Sequence, residues 1–519
     1  MTWPFILNEA RPLGTLTDDL PLTSVADTRV LERHLCEVHT PAHALMARAG
    51  LSLARWVRAC TPHARRVLVV CGPGGNGGDG LYAASYLREA GVDVQAWLVG
   101  RSADRRPSED RPLEAAAAAG VPMKPQAPAA GEEIDAVVDA VLGIGTRQPL
   151  ASGFEDAVRA INAYRERGAT VLSADVPTGL DADHGTTAGV TVQADATLSL
   201  LTLKVGLWTA NGRRCSGEVW WDPLVEYELA AQSPRAWLAG LQSMRRTHRV
   251  RDPSDHKGSM GDVLVVGGAS GMSGAAWLAA RAALGAGAGR VYVHWLGEAP
   301  PVDGSRPELM RWTQPLGAGD TARATRLTVV CGCGGGQEVR EVLPWVLAHS
   351  PRLVLDADAL NVLAQDPQLQ TQLQSRHRRG RPTVLTPHPL EAARLLGCTV
   401  ADVQSDRLRH AQHLADHLQV TVVLKGSGTV IACPGEVPRI NSTGSATLAS
   451  AGTGDVLAGW MGGWWSQSPQ SQSLDVACAA VWLHGQAGQC PPVGSAQGFQ
   501  ALELIDHMRV LREHLLNGA

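Results

Sequence analysis

Arg66-Val67-Leu68-Val69-Val70 runs into Cys71-Gly72-Pro73-Gly74-Gly75-Asn76-Gly77-Gly78-Asp79-Gly80, and Leu81 to Ala90 then reads as a helix closed by Gly91. A short apolar run that ends in a glycine loop and hands over to a helix is the pattern of a buried parallel strand. The pattern recurs on both sides of this stretch. Val92 to Val99, Ile134 to Val141 and Thr170 to Asp175 read as further strands, and Val25 to Trp56 reads as helical and packs on the sheet. Polar residues gather at the strand C-terminal ends, where open parallel sheets bind ligands. A second alternating series starts at Asp262-Val263-Leu264-Val265-Val266-Gly267-Gly268. It continues through 290–293, 327–330, 353–355, 383–385 and 420–425. Composition shifts between Val225 and Arg251, and Ala230-Ala231-Gln232-Ser233-Pro234 reads as a linker. The expectation is α/β throughout, with one domain over 1–235 and a second over 236–519. The halves do not read as internal repeats, because their loops differ.

The chain has 519 residues, with Lys+Arg 46 against Asp+Glu 50 and a formal charge of −4. That near-neutral balance argues against bulk electrostatic binding to nucleic acid or anionic membrane. No basic stripe with interleaved aromatics appears. The 10 Cys are scattered without a CxxC pair, which reads as reduced thiols in a cytosolic protein and not as a structural zinc. The N-terminus lacks the features of a secretory signal, and no apolar run approaches a membrane span, so a soluble cytoplasmic protein is expected. The 15 Trp beside 3 Phe read as base-composition bias.

Two groups of loops carry candidate chemistry. In the first half, the glycine loop can present backbone N–H groups as an anion nest, although a plain strand-to-helix turn would look similar. It is not GxGxxG, so no simple dinucleotide fingerprint is present. Asp139 lies inside the apolar run Val137-Val138-Asp139-Ala140-Val141, where a carboxylate needs a cation or hydrogen bonds. Asn76, Asp139 and Thr178 together offer oxygen ligands for a hard cation. In the second half, Ala451-Gly452-Thr453-Gly454-Asp455 precedes an apolar helix. Its glycines let backbone approach a phosphate at the positive end of the helix dipole. Asp455 is then placed to take a proton from a substrate hydroxyl, its plainer role being that of an N-cap carboxylate. Lys425-Gly426-Ser427-Gly428-Thr429 reads as a hairpin turn that also brings a cation and backbone donors to nucleotide phosphates.

The Gly-Pro-Gly-Gly-Asn-Gly-Gly-Asp-Gly loop, Val138-Asp139-Ala140-Val141-Leu142-Gly143-Ile144-Gly145-Thr146 and Asp175-Val176-Pro177-Thr178-Gly179-Leu180-Asp181 resemble the NAD(P)H-hydrate epimerase domain. His43 to Gly50 and Lys204-Val205-Gly206-Leu207 extend the resemblance over roughly Thr23 to Pro223. It implies a Rossmann-like three-layer domain in which Asn76, Asp139 and Thr178 hold K⁺. It also implies that Gly75, Asn76, Gly77, Gly78, Asp79, Gly143, Ile144, Gly145, Thr146, Arg147, Gln148, Pro149 and Asp175 bind the hydrated dinucleotide. Asp175 would move the proton at the reacting carbon. Arg147 would meet a phosphate or lie in solvent. The family usually has Asn where Gly75 stands, which is expected to weaken substrate binding or shift its specificity.

The second half resembles ADP/ATP-dependent NAD(P)H-hydrate dehydratases of ribokinase-like fold. The matching stretches are Asp255 to Gly261, Met272 to Ala276, Arg306 to Met310, Asp356 to Asn361, Thr386 to Glu391, Lys425 to Thr429, the Gly452–Asp455 loop and His484-Gly485. The resemblance implies substrate contacts from Ala275, Gly334, His388 and Asp455, with Asp455 as base. Nucleotide contacts would come from Lys425, Gly426, Ser427, Gly428, Thr429 and Gly454, with ADP and Mg²⁺ required. Asp356, Asp358 and Asn361 could bind ligand or cap the next helix. Gly332-Cys333-Gly334-Gly335-Gly336 departs from the usual Gly-Pro-Gly-Leu-Gly, and the common Asn-Pro pair is absent around Thr443 to Ala446. The implied function is repair of hydrated NADH and NADPH (NADHX and NADPHX), by epimerisation in one domain and ADP-dependent dehydration in the other. A homo-oligomer is compatible with the resemblance. The alternative is a small-molecule kinase carrying a non-catalytic first domain.

Overall fold

The computed structural model describes residues 11–12, 18–38, 41–100, 110–129, 132–146, 148–225, 234–300, 306–316, 326–490 and 500–517. Contacts divide the chain into two compact units, one built mainly from Pro21–Ala236 and the other mainly from Trp237–Ala519. Among the described residues no helix is long and apolar enough to cross a membrane.

The first unit is an 8-stranded sheet. From one edge its strands are Arg11–Pro12, Glu218–Asp222, Ala196–Leu200, Thr170–Ala174, Ala136–Ala140, Arg66–Cys71, Asp93–Leu98 and Met123–Lys124. All neighbours are parallel except the first pair. The chain enters at Arg66–Cys71, builds outward to Met123–Lys124, then returns to the other side at Ala136–Ala140. The order therefore reverses between Arg66–Cys71 and Ala136–Ala140, and an open parallel sheet offers its ligand crevice beyond the strand ends at such a reversal. Val67, Val69 and Ala136 pack toward one apolar layer, while Leu68, Val70 and Val137 pack toward the other. Leu22 and Thr23 pair in parallel with Leu203 and Lys204 beside the site end of the unit.

The second unit repeats the plan. Its strands run Met310–Arg311, Arg290–Trp295, Asp262–Gly267, Leu327–Cys331, Arg352–Leu355, Thr383–Leu385 and Thr421–Leu424, all parallel. Val430–Ala432 and Arg439–Asn441 continue antiparallel, and residues 237–239 pair in parallel with Arg439–Asn441. Here the reversal lies between Asp262–Gly267 and Leu327–Cys331, so the Gly332–Gly336 turn stands at the ligand-binding end. The helices Ser273–Gly285, Thr453–Gln467 and Ser473–Gln489 bury an alanine-, glycine- and tryptophan-rich face against this sheet. Close approach is built into these helices: a Cβ on Gly459 would lie 2.0 Å from the Ala279 carbonyl oxygen.

The strands expected from apolar runs form within a residue or two of the expected limits. One boundary moves substantially. The helix expected from Leu81 begins at Gly75, with Gly74 at its N-cap. Asn76 and Asp79 therefore sit on the first turns of a helix and not in an open loop. The long helical stretch expected over Val25 to Trp56 is two helices, Val25–Val38 and Ala42–Cys60. The linker expected at 230–234 lies outside the described residues except for Pro234.

Candidate active sites

In the first unit the glycines of the 72–80 stretch let a helix start directly against the sheet. A Cβ on Gly77 would lie 1.8 Å from the Gly72 carbonyl oxygen, and one on Gly80 would lie 2.6 Å from the Ala140 Cβ. At Gly75, by contrast, a Cβ would meet nothing within 4 Å. Asn76 is held in this tight turn with both side-chain polar atoms buried and without a hydrogen-bond partner. A carboxamide left in that state costs a few kcal/mol unless something binds it.

Asp139 is fully buried, and its carboxylate is met from several sides. It accepts from Thr178 Oγ1 at 2.6 Å, Thr178 N at 2.8 Å, Ser173 Oγ at 3.0 Å and Val141 N at 3.3 Å. Burial pushes the Asp139 carboxyl up, and the Thr178 and Ser173 donors oppose it. Thr178 Oγ1 also accepts from Leu142 N at 3.0 Å. The next residue, Gly143, faces Asn76: a Cβ there would lie 3.3 Å from Asn76 Cγ and 3.3 Å from Asp175 Oδ2. The 142–143 turn thus brings Asn76, Thr178 and Asp175 into one neighbourhood.

Asp175 adopts a backbone φ of +65°, unusual for a residue with a side chain. Its N–H donates to the Leu198 carbonyl at 2.8 Å, and its Oδ1 accepts from Leu200 N at 3.2 Å. The same oxygen forms an ion pair with Lys204 Nζ. The Lys204 side chain is 1 % exposed, and its ammonium also donates to the Leu200 carbonyl at 2.7 Å. Burial pushes the Asp79 carboxyl well above the usual carboxylate range. The negative charges of Asp175 and Glu32 add to that rise, and Lys204 opposes it. Glu32 is raised by burial and by Asp175. Lys204 thus pairs directly with Asp175 and offsets the charges of Glu32 and Asp79 from further off.

Thr146 closes the 143–146 turn by donating to the Gly143 carbonyl at 2.7 Å. Gln148 has its carboxamide engaged with Gly179 O at 2.7 Å and Ala188 N at 2.6 Å, which braces a neighbouring loop. Ile144 and Pro149 flank these residues, and a Cβ on Gly145 would lie 3.8 Å from Arg29 Nη2. Arg147 lies outside the described residues. Sequence reasoning gave no role to Lys204, Glu32 or Arg29. Lys204 carried a signal, a lone cation in the apolar run Leu201 to Leu207, whereas the helix face bearing Arg29 and Glu32 reads as an ordinary solvated one.

In the second unit Gly452, with φ of +89°, caps the helix Thr453–Gln467. Asp455 is therefore in the first turn and is not the cap. Lys425 Nζ lies 2.7 Å from Asp356 Oδ1 and 3.9 Å from Glu391 Oε2. A Cβ on Gly454 would lie 3.8 Å from that ammonium, so the helix N-terminus and Lys425 share one anion-binding corner. Burial pushes the Asp455 carboxyl up to about 6, with Asp356 and Asp358 adding to the rise and Cys333 and Lys425 opposing it. His484 Nε2 lies 3.0 Å from the Thr453 carbonyl and fixes the turn from behind. Burial brings His484 down to about 4, so the ring is neutral and Nε2 carries the donated proton.

Lys425 is carried by the expected hairpin between Thr421–Leu424 and Val430–Ala432. Buried Arg407 braces the turn, donating to the Leu424 and Lys425 carbonyls at 3.0 and 3.1 Å. Gly426 and Gly428 take positive φ, and Thr429 Oγ1 donates to Gly426 O at 3.0 Å across Ser427. His388 is the N-cap of Pro389–Leu396: its Nδ1 accepts from Leu390 N at 3.1 Å and Glu391 N at 3.3 Å. Nε2, on a half-exposed ring, lies 3.4 Å from Glu391 Oε1. Asp356 accepts from Lys425 and from Thr386 Oγ1 at 2.8 Å, while Asp358 accepts from Gly336 N at 2.9 Å. Gly334 packs on Met272 and Ala275 at the start of Ser273–Gly285.

Two family profiles match the chain. One described as "YjeF-related protein N-terminus" covers residues 42–206, and one described as "NAD(P)H-hydrate dehydratase" covers 263–509. The Bifunctional NAD(P)H-hydrate repair enzyme Nnr of Escherichia coli (strain K12) is 36% identical over 468 residues, 89% of this chain and 88% of that protein. The chain belongs to the bifunctional NAD(P)H-hydrate repair enzyme family. Its Coxiella burnetii relative of the same name is 34% identical over 497 residues, 93% of this chain and 97% of that protein. A Bacillus subtilis ADP/ATP-dependent NAD(P)H-hydrate dehydratase, co-crystallised with ATP/Mg²⁺, is 31% identical. It covers 53% of this chain and 97% of its own, with a TM-score of 0.46. The α/β class read from the sequence holds in both units.

Proposed function

We propose that residues 1–235 interconvert the epimers of hydrated NADH and NADPH, and that residues 236–519 return one epimer to NAD(P)H with ADP as phosphoryl donor. The reading is supported by family membership over both halves, and the observation that carries the chemistry is the setting of Asp455. It is a partly buried carboxylate in the first turn of a helix whose glycine-lined N-terminus faces Lys425. Asp455 takes the proton of the substrate ring hydroxyl. The hydroxyl oxygen bonds to the terminal phosphorus of the nucleotide, and the nucleotide leaves one phosphate shorter. Charge that develops on the transferred group meets Lys425 and the N–H groups around Gly454. Loss of a neighbouring ring proton then expels phosphate, a better leaving group than hydroxide, and restores the double bond.

In the first unit Asp175, anchored by Lys204, is the group that moves a proton at the reacting carbon. Asp79, whose carboxyl is pushed well above the usual range by burial and by the charges of Asp175 and Glu32, is the complementary donor. Potassium fits the residues present: Asn76 has two buried polar atoms without partners, and Asp139 and Thr178 supply further hard oxygens. Bound there, it would supply fixed positive charge beside the dinucleotide. For magnesium the described residues offer no comparable set of hard oxygens. Among the described residues the cluster with metal-ligand spacing is Cys333, Asp356 and Asp455, where a soft thiol faces the site and Lys425 already neutralises Asp356. Magnesium would instead enter with the nucleotide and would supply charge neutralisation at its phosphates.

The test supplies both epimers of hydrated NADH with Mg²⁺, K⁺ and either ADP or ATP, and follows the return of reduced-nicotinamide absorbance. Full recovery with ADP is expected. Recovery that halts with one epimer left would show a silent first site. No recovery with either nucleotide, together with a stable phosphorylated product from another substrate, would replace this reading with that of a small-molecule kinase.

A further inference from the structure

Cys333 occupies the turn at the order reversal of the second sheet, where the resemblance leads one to expect proline. The turn is tightly tied. Gly332 and Gly334 take φ of +118° and +56°, Gly335 N donates to Gly332 O at 2.9 Å, and Gly268 N donates to the Cys333 carbonyl at 3.1 Å. Gly336 N is held by Asp358 at 2.9 Å. The Cys333 side chain is completely buried. Its Sγ and carboxylate oxygens of Asp356 and Asp455 all lie within 4.8 Å of one another. Asp356 has its Oδ1 taken by Lys425 Nζ and Thr386 Oγ1. The Asp455 carboxylate, which reaches within 4.8 Å of Sγ, takes no such bond from Lys425 or Thr386.

We propose that Cys333 is a positioning residue for the dehydratase base: its S–H donates to Asp455 and holds that carboxylate as a proton acceptor aimed at the substrate hydroxyl. The proposal rests on the dehydratase reading above. Burial pushes the Cys333 thiol well up, and the charges of Asp455 and Asp356 push it further. It therefore stays S–H at working pH and is a donor, not a nucleophile. The groups facing Asp455 sort by sign. Asp356 and Asp358 favour its protonated form, and Lys425 and Cys333 favour the carboxylate. His484, behind Thr453, is neutral, and Glu391 and half-exposed His388 act at one remove through Lys425. Removing one donor from a partly buried carboxylate raises its pKa, so the base would be lost at a higher pH than before.

The test compares the pH dependence of dehydratase kcat/KM in the wild-type chain, Cys333→Ser and Cys333→Ala. In the wild type, activity should fall as pH drops through about 6. In Cys333→Ala that fall should begin roughly half to one pH unit higher, so the loss is several-fold near the midpoint and small at high pH. Cys333→Ser, which keeps a donor, should restore the wild-type limb. An alanine limb coincident with wild type, or a serine limb displaced as far as alanine, would overturn the proposal. An inactive wild type would instead sink the dehydratase reading. In that case the S–H infrared stretch, taken as wild type minus Cys333→Ala, still decides: it should titrate with Asp455 and lose its pH dependence in Asp455→Asn. A pH-independent stretch in the wild type would refute the hydrogen bond.

Discussion

Lys204 shows what a single side chain contributes when it is charged and buried. Its ammonium is buried, so it is stable because Asp175, the Leu200 carbonyl and Ser199 Oγ take its donors. In return it fixes a carboxylate carried on a left-handed backbone, a conformation with a cost of order 1–3 kcal/mol that persists because its surroundings enforce it. Lys204→Met should leave Asp175 without its counter-charge, held only by the Leu200 N–H. We expect epimerase turnover to fall by about 100-fold or more, and the first unit to lose roughly 3–5 kcal/mol of stability. Dehydratase turnover in the same protein should be unchanged, which gives the assay its internal control. Lys204→Arg should recover part of the epimerase rate. Equal rates in wild type and Lys204→Met would show that Asp175 needs no anchor. Residues of this kind are the hardest to read from sequence. Asp455 was legible because glycines and an apolar helix frame it. Asp139 was legible because a carboxylate inside a buried strand demands explanation. Lys204 sits in an equally apolar run, but its partner lies on another strand end and only the fold brings them together. Cys333 looked like a loop residue for the same reason.

At the scale of one element, the helix Gly75–Glu89 explains why the glycine loop was misread. Glycine disfavours helix, so Gly75 to Gly80 read as loop by propensity. Tertiary packing decides otherwise, because only hydrogens fit where the first turns press on the strand ends. The two kinds of glycine here should respond oppositely to substitution. Gly77→Ala would put a methyl 1.8 Å from the Gly72 carbonyl oxygen and should destabilise the unit by about 3 kcal/mol or more. Gly75→Asn enters open space and replaces a helical glycine, so stability should hold or rise by some tenths of a kcal/mol. It would also supply the side chain that the resemblance leads one to expect there, so the KM for hydrated dinucleotide should fall while kcat stays. Thermal melts and epimerase kinetics on both variants check this. A rise in KM for Gly75→Asn would mean that the open space at Gly75 is where the substrate lies.

For the whole molecule, the informative fact is that both units reverse strand order in the same way and place their chemistry at that reversal, with no repeat visible in sequence. Parallel strands were legible from apolar runs. Their order was not, because sheet order is set by how helices cross over and local composition does not record it. With one proposed site on each unit, the shared intermediate is expected to be a free small molecule, the epimer that one site releases and the other takes up. Separate inactivation should then be reversible by mixing. Asp175→Asn should convert only the epimer that the second site reads, stalling on the other apart from slow uncatalysed exchange. Asp455→Asn should interconvert epimers and regenerate essentially no NADH, with dehydratase turnover down by about 100-fold to 10,000-fold. An equimolar mixture of the two variants should carry both epimers to completion, with a lag that shortens as protein concentration rises. If the mixture stalls while the wild-type chain completes the reaction, the intermediate does not leave the chain that made it. The two sites would then have to be coupled within one molecule.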